Sequence, residues 1–352
     1  MSEEAMATGV GIIGAGPGVA ALHMPTVARL ADRFAVVHVS DGGSGRADVL
    51  AARVGGVASR GHEELLADPR VEVVAICSPP DAHAAQVLAA VRAGKRAILC
   101  EKPLALTLED AEAAVEACRD AGTALVVGTN HHFDPAWGRA KHHLTALGSR
   151  VRSVVVTVAL PPNGRYHDVV SEGAADLASA PRPRPDWSDP AVAAAIVRQL
   201  VLGLGIHDLP LLRDLVPHVD EVVYARGIPP VGYALGLIGG GVPVQLNAVM
   251  LPGGDDTLWR MEVTTSVDTL DVTFPPPFVH SGSAAVRVRS EDGRVTAYPR
   301  EGGDGYVAEW RAVGALLDGT ETVEYDEILA DARYAVDLAD AAAEAVREGA
   351  VA

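Results

Sequence analysis

Residues 10–13 form an apolar run that passes straight into Gly14-Ala15-Gly16-Pro17-Gly18-Val19-Ala20. The pattern reads as a buried strand, a glycine-rich turn and the first turn of a helix. Such a turn aims backbone N–H groups and the positive end of a helix dipole at one spot, the chemistry of a diphosphate site. Gly14 allows the tight turn and Gly16 the close approach of a pyrophosphate, with Pro17, Gly18 and Val19 completing the loop. In strict G-x-G-x-x-G spacing the third glycine falls at position 19, where Val19 stands. Gly18 comes one residue early, so the helix is expected to pack differently on its strand. Residues 34–41 read as a second strand ending in Asp41. A carboxylate there accepts hydrogen bonds from the adenosine ribose hydroxyls and repels a 2′-phosphate. The joint pattern predicts a bound dinucleotide, NAD ahead of NADP. Ser40, Ser44 and Arg46 keep NADP open.

These residues need a scaffold to position them. The first third alternates strand signals (10–13, 34–41, near 57, 71–77, 97–100, 125–127) with helix signals (47–53, 62–67, 81–91, 107–121). Asp81 and Thr107 read as N-caps and Gly94 as a stop. Repeated alternation predicts a parallel sheet with helices on both faces. The pattern changes after about residue 150. Residues 151–159 read as a long strand, 161–190 as an irregular proline-rich stretch holding Tyr166 and Trp187, and 191–202 as a helix. Strand signals separated by Gly and Pro follow from 221 to 289 and fit a largely antiparallel sheet. Helical patterns return at 306–317 and 326–348.

At 352 residues, with 49% hydrophobic and 21% charged, the chain is globular in composition and long enough for two cores. A formal net charge of −17 argues against nucleic acid or an anionic membrane as partner. The longest apolar runs read as too short to cross a bilayer. The acidic start MSEEAMATG lacks a signal-peptide layout. Cys77, Cys100 and Cys118 have neither a paired count nor metal-ligand spacing, and Cys77 and Cys100 are expected to be buried thiols. A reducing cytoplasm is the expected location.

Further motifs carry a family likeness. Ser78-Pro79-Pro80-Asp81-Ala82-His83 precedes a helix, and Ala93-Gly94-Lys95 precedes a strand ending in Glu101-Lys102-Pro103-Leu104-Ala105. His23-Met24-Pro25 follows the glycine turn. Asn130-His131-His132-Phe133-Asp134-Pro135, Gly205-Ile206-His207-Asp208 and Tyr306 with Glu309-Trp310 come later. Together these resemble the glucose–fructose oxidoreductase / inositol dehydrogenase / MocA family over nearly the whole chain. The resemblance implies an N-terminal Rossmann domain over 1–130. It also implies a C-terminal α/β domain over 131–352 for substrate binding and oligomerisation, with a large, mostly antiparallel open sheet and a last helix able to pack back on the first domain. It further implies a homodimer or homotetramer, and hydride transfer between a nicotinamide cofactor and an alcohol or ketone of a sugar or cyclitol.

By the same resemblance Lys102 takes the position of the catalytic lysine. It follows an apolar strand, where partial desolvation lowers an ammonium's pKa and lets it polarise a reacting oxygen. Pro103 makes an X-Pro bond able to be cis, which would fix the lysine's direction. His207 takes the position of the catalytic histidine, able to accept the alcohol proton. Ser78, Pro79, His83, Glu101 and Lys102 are expected toward the nicotinamide end of the cofactor. Asn130, His132, Trp187 and Asp208 are the candidate substrate-binding residues.

The chain also departs from the pattern. Many relatives carry an aspartate four residues before the histidine, and Gly203 stands there; His132 stands where relatives often have arginine. A Lys–His pair suffices, another acid such as Asp208 substitutes, or the site is weak. The pairs His131-His132 and His142-His143 have no third ligand at suitable spacing, so no metal is expected. The expected function is an NAD(P)-dependent oxidoreductase acting on a sugar, cyclitol or aminosugar. A C=N reductase and a cofactor-binding protein without turnover are the alternatives. With 46 acidic against 29 basic residues, and only Arg182 and Arg184 dense near the site in sequence, a neutral or amine-bearing sugar is favoured over a sugar phosphate.

Overall fold

The structure is a computed structural model that describes residues 7–161, 185–251, 257–276 and 279–349; Tyr166, Arg182 and Arg184 lie outside these. It divides into two compact units. The first holds described residues 7–128 and Tyr306–Ala332, and the second holds the other described residues.

The first unit is built on six strands: β1 (Thr8–Ile13), β2 (Phe34–Asp41), β3 (Val57–Arg60), β4 (Val73–Ile76), β5 (Ala97–Glu101) and β6 (Ala124–Gly128). Their order is β3-β2-β1-β4-β5-β6 and every pairing is parallel. Val10, Ile12, Val73, Ala75, Ile98 and Leu99 are fully buried, as a sheet with both faces covered requires. The order reverses between β1 and β4, the switch point at which such sheets open a crevice.

Two local features differ from the sequence-based expectation. The glycine turn enters a π-turn, Val19–His23, before the α-helix Met24–Arg29 begins. A π-turn holds one residue more than an α-turn, and this absorbs the early Gly18 and turns Val19 into the core. Asp81, expected to cap a helix, does not. It is exposed within a 3₁₀ turn, Pro80–Ala82, and the helix His83–Arg92 starts after Ala82 without a side-chain cap. Pro80 fixes the backbone of that turn and moves the helix start past Asp81. Thr107 does cap its helix, Leu108–Ala121, its hydroxyl accepting from the Asp110 N–H at 3.2 Å.

The second unit carries β7 (Val151–Leu160), β8 (Glu221–Gly227), β9 (Gly232–Gly239), β10 (Val242–Met250), β11 (Leu258–Thr265), β12 (Asp268–Thr273), β13 (Ala285–Ser290) and β14 (Val295–Tyr298). Their order is β14-β13-β12-β11-β7-β10-β9-β8. All pairs are antiparallel except β7 with β10. Along β7, Val154, Val156, Val158 and Leu160 are buried while the residues between them are half-buried, so one face looks inward.

The window Pro190–His207 is long and apolar enough, by length and composition alone, to cross a bilayer, which corrects the expectation that no run was. In the fold its helix, Pro190–Gly203, places Ala193, Ala194, Val197, Val201 and Leu202 in the core of the second unit. Helix Pro135–Leu147 and strand β14 were not anticipated. The helix had a signal: Asp134 precedes Pro135 at the first helical position and accepts from the Ala136 N–H at 2.8 Å.

Candidate active site

At the C-terminal ends of β1, β2 and β4 lies a cleft of about 470 Å³. Gly14, Gly16, Ser40, Asp41, Ser78 and Pro79 are among its lining residues. Gly14 has φ +102°, and a Cβ there would lie 2.5 Å from the Cys77 carbonyl oxygen and 2.8 Å from the Ser78 nitrogen. Only glycine fits that turn. Gly16 differs: a Cβ there meets no protein atom within 4 Å, so its freedom serves the cleft and not the packing. Ser40 is fully buried and its hydroxyl has no hydrogen-bond partner in the protein, although it lines the cleft. An orphaned hydroxyl beside an open glycine turn fits a polyhydroxylated, phosphate-bearing ligand such as a dinucleotide.

Of the other residues expected at the cofactor, Pro17, Gly18, Val19, His83, Glu101 and Lys102 do not line this cleft. Gly61, His62, Cys77 and Gln86 do line it, and sequence reading missed them. They follow β3 and β4, so only the strand order reveals their closeness. Cys77 is half-exposed there, correcting its expected burial; Cys100 and Cys118 are buried.

Asp41 is occupied by its own loop. Oδ1 accepts from the Gly43 and Ser44 N–H groups at 2.7 and 3.2 Å, and Oδ2 from the Ser44 hydroxyl and the Ala47 N–H at 2.5 and 3.1 Å. Burial opposes ionisation, but these bonds outweigh it and hold the carboxyl below its ordinary 3.8. The charge is therefore present at every pH above that lowered value. Asp41→Asn is expected to erode a preference for NAD over NADP by about tenfold, since one repelled charge near a surface is worth on the order of 1 kcal/mol or more. Dissociation constants for the two nucleotides check this, and an unchanged ratio refutes it.

Lys102 follows the last residue of β5, half-buried, and its bond to Pro103 is cis. Burial lowers the Lys102 pKa below the ordinary 10.5, against the opposing charge of Glu101. Glu101 Oε1 lies 2.9 Å from His23 Nε2, and its Oε2 accepts the Lys102 N–H at 3.2 Å. Burial would raise the Glu101 pKa, but His23, Lys102 and His83 bring it below 4.5. His23 is buried. Desolvation opposes its protonation, yet Cys77 and Glu101 raise its pKa well above 6.5. The Trp310 indole nitrogen lies 3.4 Å from His23 Nδ1. His83 is buried with Nδ1 2.7 Å from the Pro103 carbonyl and Nε2 2.8 Å from the Ser78 carbonyl. It thus ties the loop after β4 to the loop that carries Lys102.

The second unit holds the other group. His207 lies in a 3₁₀ turn, Gly205–His207, 6% exposed, with Nδ1 2.6 Å from Asn130 Oδ1. Asp208 is buried. Both its oxygens accept the Trp259 indole N–H at 2.9 Å, and Oδ1 lies 3.2 Å from His131 Nδ1. His131 stacks on Phe274 at 3.9 Å, with its ring 5.4 Å from that of His207. His132 is partly exposed, 3.9 Å from Asp214. Trp187 packs its ring over Gly227 at the end of β8. The structure thus brings Asn130, His207 and Asp208 together, and sets Trp187 on β8. At Gly203 a Cβ would meet nothing within 4 Å. Among the described residues no cluster of His, Cys, Asp and Glu is arranged to hold a metal ion.

A parallel dinucleotide-type sheet with this cleft defines a Rossmann domain. Residues 8–129 match the profile of the oxidoreductase family with the NAD-binding Rossmann fold that takes in glucose–fructose oxidoreductase, inositol dehydrogenase and MocA. The chain carries that match across the six strands of its first unit. It is 46% identical to the 1,5-anhydro-D-fructose reductase of Ensifer adhaerens over 106 residues, 29% of this chain and 31% of that protein. That match therefore spans under a third of the relative's length. It is 29% identical to the inositol 2-dehydrogenase of Rubrobacter xylanophilus over 97% of this chain and 91% of that one. Among solved structures, the fold resembles KijD10, a 3-ketoreductase from Actinomadura kijaniata crystallised with NADP. The TM-score is 0.70 at 21% identity, covering 93% of this chain and 95% of that one.

Proposed function

We propose that the chain is an NAD(P)-dependent dehydrogenase or reductase acting on a secondary alcohol, or the matching ketone, of a sugar, cyclitol or aminosugar. The observation that carries the reading is Lys102, a partly desolvated ammonium at the end of β5 in a sheet whose glycine turn is shaped for a dinucleotide. The names of the relatives, an anhydrofructose reductase, an inositol dehydrogenase and a ketoreductase, support the substrate class. A bound nicotinamide supplies or accepts the hydride. The glycine turn, Ser40 and Asp41 hold the dinucleotide. Lys102 donates a hydrogen bond to the reacting oxygen and favours its oxyanion character. His207 takes the hydroxyl proton or returns it.

This division of labour sets a pH dependence. Lys102 must stay protonated, so turnover falls as pH rises through its lowered pKa, short of 10.5. The test is nicotinamide absorbance with NAD or NADP and a panel of inositols, neutral sugars, aminosugars, sugar phosphates and their ketones. Turnover on a neutral or amino sugar is the expected result. A strong preference for phosphorylated sugars refutes the charge argument. Turnover on imines alone selects C=N reduction. The absence of any turnover, with NAD still raising the Tm, selects a binding protein without catalysis. That second reading is favoured by one observation: Asp208 is already held by Trp259 and His131, so it does not replace the acid missing at Gly203.

The free cysteines agree with a reducing cytoplasm. The chain assembles as a homodimer or homotetramer through the open sheet of the second unit, where β8 exposes Val223 and Tyr224. Light scattering showing only monomer at micromolar concentration refutes the assembly.

A further inference from the structure

We propose that Asn130 is a positioning residue that fixes the tautomer of His207 and sets its basicity. This rests on the reading of His207 as the group that moves the substrate proton. The two residues are 77 apart in the chain, and both are buried, at 7% and 6% exposure. Their contact is short: His207 Nδ1 to Asn130 Oδ1 is 2.6 Å. A carboxamide oxygen only accepts, so the ring nitrogen facing it must carry a proton. In the neutral imidazole that places the proton on Nδ1 and leaves the lone pair on Nε2. The ring is thereby set as a proton acceptor at Nε2 before substrate arrives. In the oxidative direction the proton of the substrate hydroxyl passes to Nε2 and the Nδ1–H bond to Asn130 is kept.

The acceptor at Nδ1 is an amide and not a carboxylate, and the acid next to His207 in the chain is held elsewhere. Among the described residues of the second unit, the titratable groups near His207 in the fold include His131, whose ring is 5.4 Å away, Asp208, the next residue in the chain, and Tyr233, beside Gly205. Asp208 has its oxygens accepting from the Trp259 indole and facing His131 Nδ1. His131 points Nδ1 at Asp208, and its Nε2 is buried without a hydrogen-bond partner. Tyr233 is buried, its hydroxyl beside Gly205; burial and the Asp208 charge push its pKa up, so it stays neutral. Position 203, four residues before His207, is glycine. Asn130 therefore orients the ring without contributing the negative charge that would stabilise an imidazolium.

The decisive measurement is the tautomer itself, by nitrogen–proton correlation NMR on protein labelled with ¹⁵N-histidine, with the signal assigned through His207→Gln. The Nδ1–H form is expected in the neutral ring. An Nε2–H form overturns the proposal without reference to any variant. Asn130→Asp keeps the acceptor and adds a charge, so the His207 titration midpoint should rise by about 1 to 3 pH units. An unchanged midpoint also overturns it. In turnover, Asn130→Ala should lower kcat by about 10- to 100-fold with little change in KM. Asn130→Asp should recover it with the acid limb of the pH profile moved upward, which a merely structural asparagine would not do. The two readings separate cleanly. If His207→Gln keeps full turnover, the role of His207 is wrong. If it abolishes turnover while the ring is Nε2–H, only the role of Asn130 is wrong.

Discussion

Replacing Lys102 by methionine lowers kcat/KM by about 10²- to 10⁴-fold, the range that one positioned acid or polarising group contributes. Methionine matches the length of the lysine stem and suits a half-buried position, so it removes the charge and little else. The fold should survive, because Glu101 keeps its second cation: His23, at 2.9 Å, has a raised pKa and remains as counter-charge. Dinucleotide affinity should also survive, since Lys102 does not line the cleft after the glycine turn. Lys102→Arg should rescue poorly. A guanidinium stays charged but is planar, bulky and without the compact donor of an ammonium. Steady-state kinetics together with an NAD titration decide the matter. A variant that keeps more than a tenth of wild-type kcat/KM with unchanged NAD affinity removes Lys102 from the chemistry.

The roles of these residues were unevenly legible in the sequence. The parallel sheet and its turn were readable because each element has a local signature: an apolar β-branched run, glycines at a fixed offset, a threonine at a helix start. Asp41 was readable as the end of β2, but not its four hydrogen bonds, which depend on how Gly43, Ser44 and Ala47 fold back. The π-turn was not readable. The early Gly18 announced a mismatch in spacing, and only the structure shows that one long turn absorbs it, leaving Val19 in the core. Asp81 carried a sound capping signal that two preceding prolines overrode.

Pairings across sequence distance were the least legible. His83 looked like a cofactor residue because it starts a helix near the expected site. Its ring in fact faces the carbonyls of Ser78 and Pro103, the latter 20 residues away. Asp208 looked like a stand-in for a missing acid because it is adjacent to His207, yet its 3₁₀ context turns it toward Trp259, 51 residues on. Asn130 and His207 lie on segments that no periodicity connects. Residue types told which chemistry was available. Only the packing told which partner each group had.

The two glycines of the phosphate turn should fail in different ways, and with large effects. Gly14→Ala is expected to damage the fold. Its φ of +102° is strained for any L-residue, at about 1–3 kcal/mol, and the new Cβ would meet the backbone of Cys77 and Ser78 at 2.5–2.8 Å. Neither backbone group can step aside, because the Cys77 N–H donates to the Ile13 carbonyl at 2.7 Å and holds β4 against β1. Urea unfolding of the ligand-free protein should show a clear loss of stability, and NAD affinity should fall with it. Gly16→Val should leave that stability within about 0.5 kcal/mol, as for a surface change, because a Cβ at Gly16 meets nothing within 4 Å. NAD affinity should nevertheless drop by tenfold or more, about 1.4 kcal/mol, since the side chain enters space that a pyrophosphate needs. The pair separates two uses of glycine within three residues: one answers to the backbone, the other to the ligand. Wild-type NAD affinity in Gly16→Val would refute the assignment of this turn as the diphosphate site, and wild-type stability in Gly14→Ala would refute the steric account of the turn.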